Sequence, residues 1–164
     1  MERRDALKMI GLGGIAIPAS IESIFQNSEN IELEKNPRHV SLQKAITAIT
    51  LGAGARGNTY GNYAINNPNE IKIVGVAEPI ALRNERYAKK HNILESHRFT
   101  TWEHVLQKPK MADAIIITMP DDLHYEPCMQ ALAKGYDILL EKPMAQTEQQ
   151  CRNILAEVKK TGRI

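Results

Sequence analysis

The chain has 164 residues, of which 43% are hydrophobic and 24% charged, a composition typical of one globular domain. Its 21 lysines and arginines nearly balance 19 aspartates and glutamates, and no dense basic run is interleaved with aromatics. This pattern argues against nucleic acid as a partner. The two cysteines form no C-x-x-C pair, so neither a disulfide framework nor a zinc site is predicted.

The first 27 residues differ in composition from the rest. A charged start precedes the apolar segment 9–17, which is too short for a membrane span because such a helix needs about 20 residues. Segment 3–8, Arg-Arg-Asp-Ala-Leu-Lys, resembles the twin-arginine (Tat) export signal, although Ala6 stands where that signal prefers Phe. We expect residues 1–27 to be such a signal and the protein to be periplasmic or otherwise exported. An unprocessed N-terminus on a cytoplasmic protein, or a membrane tether, is the alternative.

Residues 28–44 are expected to form a linker, because they are rich in Asn, Glu, Ser and Lys. From residue 45 onward, short β-branched runs alternate with helical segments, which predicts βαβ units and a parallel sheet. Strands are predicted at 45–51, 71–77, 112–118 and 136–140, with a weak edge strand at 97–99. The unbroken apolar run at 112–118 is typical of a strand covered on both faces.

Five helices are predicted between and after these strands, at about 56–66, 81–91, 101–107, 124–134 and 148–160. In the second helix, we expect Leu82, Tyr87 and Ala88 to face the sheet. Thr147 and Gln150 form a predicted capping box for the last helix. The fold class is therefore α/β, with a doubly wound parallel sheet.

A glycine-rich segment, Gly52-Ala53-Gly54-Ala55-Arg56-Gly57, follows the first strand and opens the first helix. In this context the spacing predicts dinucleotide binding: Gly52 allows a tight turn, Gly54 lets a diphosphate approach the backbone, and Gly57 lets helix and strand pack closely. Arg56 would flank the diphosphate, which the free N–H groups at the helix start would hold. A purely structural glycine turn is the alternative.

Glu78 ends the second predicted strand, 26 residues after Gly52. A carboxylate at this place accepts hydrogen bonds from the ribose hydroxyls of NAD and repels the additional phosphate of NADP. The predicted cofactor is therefore NAD, and Arg83 is the residue that could instead favour NADP. Residues 45–164 are accordingly predicted to be an NAD(P)-binding Rossmann domain.

Two further segments follow the fourth and fifth strands, at the sheet edge where doubly wound folds bind ligands. They are Thr118-Met119-Pro120-Asp121-Asp122-Leu123-His124 and Glu141-Lys142-Pro143, with Ala131 and Gly135 between them. Their order and spacing resemble the T-x-P-x-x-x-H, A-x-x-x-G and E-K-P motifs of the Gfo/Idh/MocA oxidoreductases. The resemblance covers about 120 residues and implies hydride transfer between NAD and a CH–OH group of a sugar or polyol.

In that family resemblance, Lys142 would contact the reacting hydroxyl and accept or relay its proton, because the positive nicotinamide ring nearby favours loss of the lysine proton. A salt bridge between Lys142 and Glu141, or another neighbouring residue, is the alternative. His124 is expected to line the cofactor rather than to act as a base, and Asp121 and Asp122 also suit helix N-caps. No metal site is predicted. The residues expected around the nicotinamide end of the cofactor are Pro120, Asp121, Asp122, His124 and Glu141.

Members of this family carry a second α/β domain and usually form oligomers through it. This chain reaches Ile164 where the sixth strand of the first domain is expected to begin, so we expect the substrate domain to be absent and the Rossmann domain to be truncated before its last strand. Whether the chain alone is an enzyme stays open. Two alternatives remain: an NAD-dependent glycosidase of the same superfamily, and a stand-alone NAD-binding module without enzymatic activity.

Overall fold

The sheet of this protein begins at Ile46 and is built from parallel strands joined by helices. The structure, a computed structural model, describes residues 44–164, so the predicted export signal and all of the predicted linker except its last residue lie outside the described residues. Within 44–164 the strands are β1 (Ile46–Leu51), β2 (Ile71–Ala77), β3 (Arg98–Phe99), β4 (Ala114–Ile117) and β5 (Asp137–Leu140). The helices are α1 (Ala55–Asn66), α2 (Ala81–His91), α3 (Trp102–Leu106), α4 (Tyr125–Ala133) and α5 (Glu148–Thr161).

All neighbouring strands pair in parallel, in the order β3-β2-β1-β4-β5. This order confirms the predicted α/β class and places the two-residue β3 at an edge. The change of direction lies between β1 and β4, whose carboxyl ends carry residues 52–57 and 118–124. Ligands of doubly wound sheets bind at such a switch point.

The strand β4 is buried on both faces, as its unbroken apolar run predicts. Ile115 and Ile117 pack in one core cluster with residues of α3, α4 and α5, whereas Ile116 packs in the opposite cluster with residues of α1 and α2. All three isoleucines are at most 2% exposed. Each such burial contributes about 1.5–3 kcal/mol, so β4 is firmly anchored and fixes the start of the loop that follows it, residues 118–124.

Two local expectations needed correction. Tyr87 and Ala88 of α2 are buried as predicted, but Leu82 is 54% exposed. The buried face of α2 runs through Asn84, whose side chain donates to the carbonyls of Glu78 and Phe99, and Leu82 lies two residues away on another face. Thr147 caps α5 as predicted by accepting the Gln150 N–H, but the Gln150 side chain accepts the N–H of residue 146 instead of that of Thr147.

Candidate functional site

The phosphate loop, residues 52–57, joins β1 to α1 at the switch point. Gly52 has a φ of +95°, and a Cβ there would lie 2.8 Å from the Thr118 carbonyl oxygen. A Cβ on Gly57 would lie 2.1 Å from the Gly52 oxygen, whereas one on Gly54 would meet nothing within 4 Å. The packing of the protein itself therefore requires glycine at 52 and 57. The space above Gly54 is open to a ligand.

Side chains from three parts of the chain hold this loop in place: the residues directly after β2 and β4, and the first turn of α1. The Glu78 carboxylate accepts the Ala53 N–H at 2.8 Å, and the Asn58 amide donates to the carbonyls of Ala53 and Gly54 at 3.0 Å each. The Thr118 hydroxyl donates to the Gly52 carbonyl at 2.7 Å. The loop is thus fixed without a ligand, which lowers the entropy cost of binding one.

No motif in the sequence predicted the contacts of Asn58 with the loop. Its amide stands directly after Gly57 in the first turn of α1, and Lys90 of α2 donates to its Oδ1 at 3.2 Å. That contact orients the amide, because an ammonium can only donate, so the NH₂ group faces the loop carbonyls. The sequence feature that could have indicated this role is a side-chain amide in the first turn of the helix after the glycine loop.

Glu78 is 4% exposed and uses its second oxygen, Oε1, to accept the Ile80 N–H at 3.0 Å. A carboxylate has about four acceptor positions, so two backbone hydrogen bonds leave capacity for ribose hydroxyls. Glu78 and Arg83 line the same cavity. The roles of both residues in choosing between NAD and NADP stay predictions.

Two cavities of about 390 Å³ each flank the loop after β4. Thr118 and Met119 line both of them. Glu78 and the open Gly54 lie in the first cavity, and Arg56 and Lys142 lie in the second. Gly52 and Pro120 also line the first cavity; Asp121 and Glu141 also line the second. An elongated ligand with two halves joined over Thr118 and Met119 fits this arrangement.

A cluster of three side chains, Arg56, Tyr60 and Glu141, joins α1 to the segment after β5; we call it the carboxylate cluster. The Tyr60 hydroxyl donates to Glu141 Oε2 at 2.6 Å and accepts from Arg56 at 3.1 Å. Arg56 Nε lies 2.6 Å from Glu141 Oε1, but this buried oxygen receives no aligned hydrogen bond. The charged contact with Arg56 and the hydrogen bond from Tyr60 hold the pKa of Glu141 below its usual value, and Glu141 raises the pKa of Tyr60.

Lys142 lines the second cavity, next to the carboxylate cluster. The ion pair of Glu141 is with Arg56 and not with Lys142, so the alternative of a Glu141–Lys142 salt bridge does not describe this structure. The ammonium group is close enough to lower the pKa of Glu141 by its charge. Contact of Lys142 with a reacting hydroxyl stays a prediction.

His124 is fully buried and lines neither cavity. Its Nδ1 lies 2.8 Å from the Pro143 carbonyl and its Nε2 lies 2.9 Å from the Met119 carbonyl. The ring therefore ties the loop after β4 to the Glu141-Lys142-Pro143 segment. This is a positioning contact, and a direct contact of His124 with the cofactor stays a prediction.

The acidic pair before α4 is exposed, and only Asp121 lines a cavity. Asp121 and Asp122 belong to a short 3₁₀ turn, Asp121–Leu123, and α4 begins at Tyr125. Neither carboxylate caps α4, whose N-cap residue is His124 and has no side-chain capping bond. The N-cap interpretation was therefore wrong, because the chain makes an additional turn before the helix begins.

Neither a metal site nor a membrane-spanning helix is found in the described part of the chain. Among residues 44–164, no group of three or more His, Cys, Asp or Glu side chains is placed to hold a metal ion. A search of the same residues for a helix long and apolar enough to cross a membrane finds none.

Curated proteins similar to this chain are inositol dehydrogenases. The scyllo-inositol 2-dehydrogenase (NAD(+)) of Bacillus subtilis is 28% identical over 121 residues, which are 74% of this chain and 34% of that protein. The inositol 2-dehydrogenase of Klebsiella pneumoniae is 29% identical over 69% of this chain and 33% of its own length. The chain thus spans about a third of the length of the curated relatives it matches.

Solved structures share the fold. An NAD-binding protein from Listeria innocua superimposes with a TM-score of 0.61 at 28% identity, covering 73% of this chain and 33% of that one. The WlbA dehydrogenase from Chromobacterium violaceum, solved in complex with NADH and UDP-GlcNAcA, has a TM-score of 0.67 at 16% identity over 74% of this chain and 34% of its own.

The family comparison covers the whole described sheet. Residues 46–164 match the family model GFO_IDH_MocA, whose description is "Oxidoreductase family, NAD-binding Rossmann fold". The glycine loop and the Glu141-Lys142-Pro143 segment both lie inside the match. The chain therefore belongs to the Gfo/Idh/MocA oxidoreductase family, of which it carries the NAD-binding Rossmann domain.

Proposed function

We propose that this chain is the cofactor-binding part of an NAD-dependent oxidoreductase that acts on a CH–OH group of a sugar or polyol. The observation that carries the proposal is the pair of cavities that meet at Thr118 and Met119, one bordered by Glu78 and the other by Glu141 and Lys142. Its support from relatives is that the curated proteins are inositol dehydrogenases.

The residues present fit NAD. The open backbone at Gly54 and the free N–H groups at the start of α1 would hold the diphosphate, Glu78 the adenosine ribose, and Glu141 the nicotinamide half. When bound, the nicotinamide ring supplies the site that accepts or donates a hydride. Lys142 Nζ would take the proton that leaves the substrate hydroxyl during oxidation and return it during reduction.

The first experiment measures cofactor binding without turnover. Trp102 is the only tryptophan of the chain and lines the first cavity, so NADH binding should quench its fluorescence. We expect wild type to bind NADH more tightly than NADPH. In Gly54→Val the additional side chain fills the open space, so NADH affinity should fall at least about 100-fold with the melting temperature unchanged. Equal affinity in both proteins would contradict the assignment.

The second experiment measures turnover of the gene product, read to its stop codon, across a panel of sugars and polyols. Formation of NADH together with a carbonyl product is the expected result. Release of a free sugar with no net change in NADH would instead support the redox-assisted glycosidase, and NADH binding with no turnover would support a stand-alone module. Light scattering on the same sample tests the expected homo-oligomer.

Export is a separate part of the proposal. It is supported by Arg3, Arg4, Leu7 and Lys8, which match the twin-arginine pattern. A fusion of residues 1–44 to a reporter that crosses the membrane only when folded should reach the periplasm. The double substitution Arg3→Lys and Arg4→Lys should retain it in the cytoplasm. Export of both fusions, or of neither, would contradict a twin-arginine signal.

A further inference from the structure

The two side chains that contact Glu141 in the carboxylate cluster, Tyr60 and Arg56, differ in burial. Glu141 is 7% exposed, and 81 residues separate it in sequence from Tyr60, which donates to its Oε2. Tyr60 is partly buried and packs against the core cluster under α1 and α2. The Arg56 side chain, in contrast, is 54% exposed and lines the second cavity.

Arg56 belongs to the phosphate loop, where the diphosphate of the cofactor would lie. A guanidinium forms paired hydrogen bonds with phosphate oxygens, so a bound diphosphate competes with Glu141 for Arg56. If Arg56 turned to the diphosphate, Glu141 would keep Tyr60 as its hydrogen-bond donor. A buried carboxylate that loses its partners is strongly destabilised and would leave its place or take up a proton.

We propose that Tyr60 is a positioning residue that holds the Glu141 carboxylate beside Lys142 when Arg56 binds the diphosphate. The inference rests on the proposed function, because it requires a dinucleotide in the two cavities. Tyr60 occupies Oε2 and thereby leaves Oε1, which is buried and receives no aligned hydrogen bond, as the acceptor for the ligand. The nicotinamide ring offers carboxamide N–H groups and, when oxidised, a positive charge, and both match a carboxylate oxygen.

The test compares NAD⁺ with ADP-ribose, which contains the same adenosine, diphosphate and second ribose but lacks the nicotinamide ring, so it isolates contacts to that ring. The variant is Tyr60→Phe, which removes the hydroxyl and keeps the ring. Tyr63→Phe is a matched control, because Tyr63 lies on the same helix and donates to the exposed carboxylate of Glu70 at 2.6 Å, away from both cavities. Dissociation constants come from calorimetry at pH 7, and melting temperatures verify folding.

Tyr60→Phe should weaken NAD⁺ about tenfold or more, the size of one hydrogen bond to a charged group, and change ADP-ribose less than about twofold. Tyr63→Phe should change neither ligand. Arg56→Gln should weaken both ligands, because both contain the diphosphate. An equal loss of NAD⁺ and ADP-ribose in Tyr60→Phe, or no loss of either, would overturn the role of Tyr60. Failure of wild type to bind either ligand would instead overturn the proposed function.

Discussion

The phosphate loop and the carboxylate cluster share Arg56 but are held together differently. The loop is fixed by contacts on its own backbone: Glu78, Asn58 and Thr118 each bond to a main-chain N–H or carbonyl of residues 52–54. The cluster is held by side chains alone, and one of its carboxylate oxygens lacks an aligned donor. Loss of one of these backbone contacts, or a side chain at Gly52 or Gly57, therefore acts on folding as well as on binding, whereas we propose that a ligand changes the partners of Glu141 in the cluster.

The largest effect is expected for Gly57→Ala, with Gly54→Ala as the matched control. Alanine favours a helix over glycine by about 1 kcal/mol, but its Cβ at position 57 would lie 2.1 Å from the Gly52 oxygen. The clash outweighs the propensity, so we expect a loss of about 3 kcal/mol in the free energy of unfolding, measured by urea denaturation. Gly54→Ala should stay within about 1 kcal/mol of wild type. Equal stability of both variants would show that the loop is not fixed as described.

The second prediction concerns Glu78→Ala. It removes the acceptor of the Ala53 and Ile80 N–H groups, so the free energy of unfolding should fall by about 2 kcal/mol. It also removes the charge that would repel an additional phosphate, so the preference for NADH over NADPH should fall about tenfold. Glu103→Ala is the control, since Glu103 is an exposed carboxylate lining the same cavity. A comparable shift in Glu103→Ala would mean that the preference for NADH comes from the total negative charge of the cavity and not from Glu78.

The contrast between the two regions also explains which features the sequence could predict. The glycine loop, the strands and Glu78 were predicted because their signals lie within a few residues of one another or follow the period of a strand. The family comparison confirmed the fold and the NAD-binding domain. Leu82 was misplaced because Asn84, a polar residue, fills the buried face through two backbone bonds.

The contacts within the carboxylate cluster could not be predicted from local sequence patterns. Tyr60 and Glu141 stand 81 residues apart, and a tyrosine on a surface helix carries no pattern that selects its partner. The bridge made by His124 was missed for the same reason, because its two ring nitrogens lie next to the carbonyls of Met119 and Pro143 in different loops. Such contacts depend on how the loops at the carboxyl ends of β4 and β5 approach each other, which helical and strand periodicity does not encode.

The third prediction separates Asn58 from Asn62. Both amides accept from Lys90, but only Asn58 donates to the phosphate loop, at Ala53 and Gly54. Asn58→Ala frees these two carbonyls, so NAD⁺ and ADP-ribose should both bind about five- to tenfold more weakly, the size of a lost neutral hydrogen bond. Asn62→Ala should leave both affinities unchanged. Calorimetry measures the constants, and a loss confined to NAD⁺ would contradict a role for Asn58 in the loop.

The smallest effect is a pH dependence at the contact between α1 and α2, below the phosphate loop. Burial and the neighbouring Lys90 lower the pKa of His91 to about 4, and its buried Nε2 has no hydrogen-bond partner. Between the ordinary pKa near 6.5 and this value, the unfolded chain binds more protons than the folded one. The free energy of unfolding should therefore decrease as the pH falls from 6.5 towards 4.

At pH 5 the loss at His91 should be about 1 kcal/mol once solvent screening of the half-buried ring is allowed for, or about 3 °C in melting temperature. His91→Gln cannot take up this proton, so its melting temperature should fall less than that of wild type between pH 7 and pH 5. His104→Gln is the control, because His104 is exposed and its loss should leave the wild-type slope unchanged. In this structure the His91 ring packs against Tyr87 at a centroid distance of 4.4 Å. If the melting temperatures of wild type and His91→Gln fell equally with pH, the His91 ring would be solvated. The contact beneath the phosphate loop would then be looser than this distance indicates.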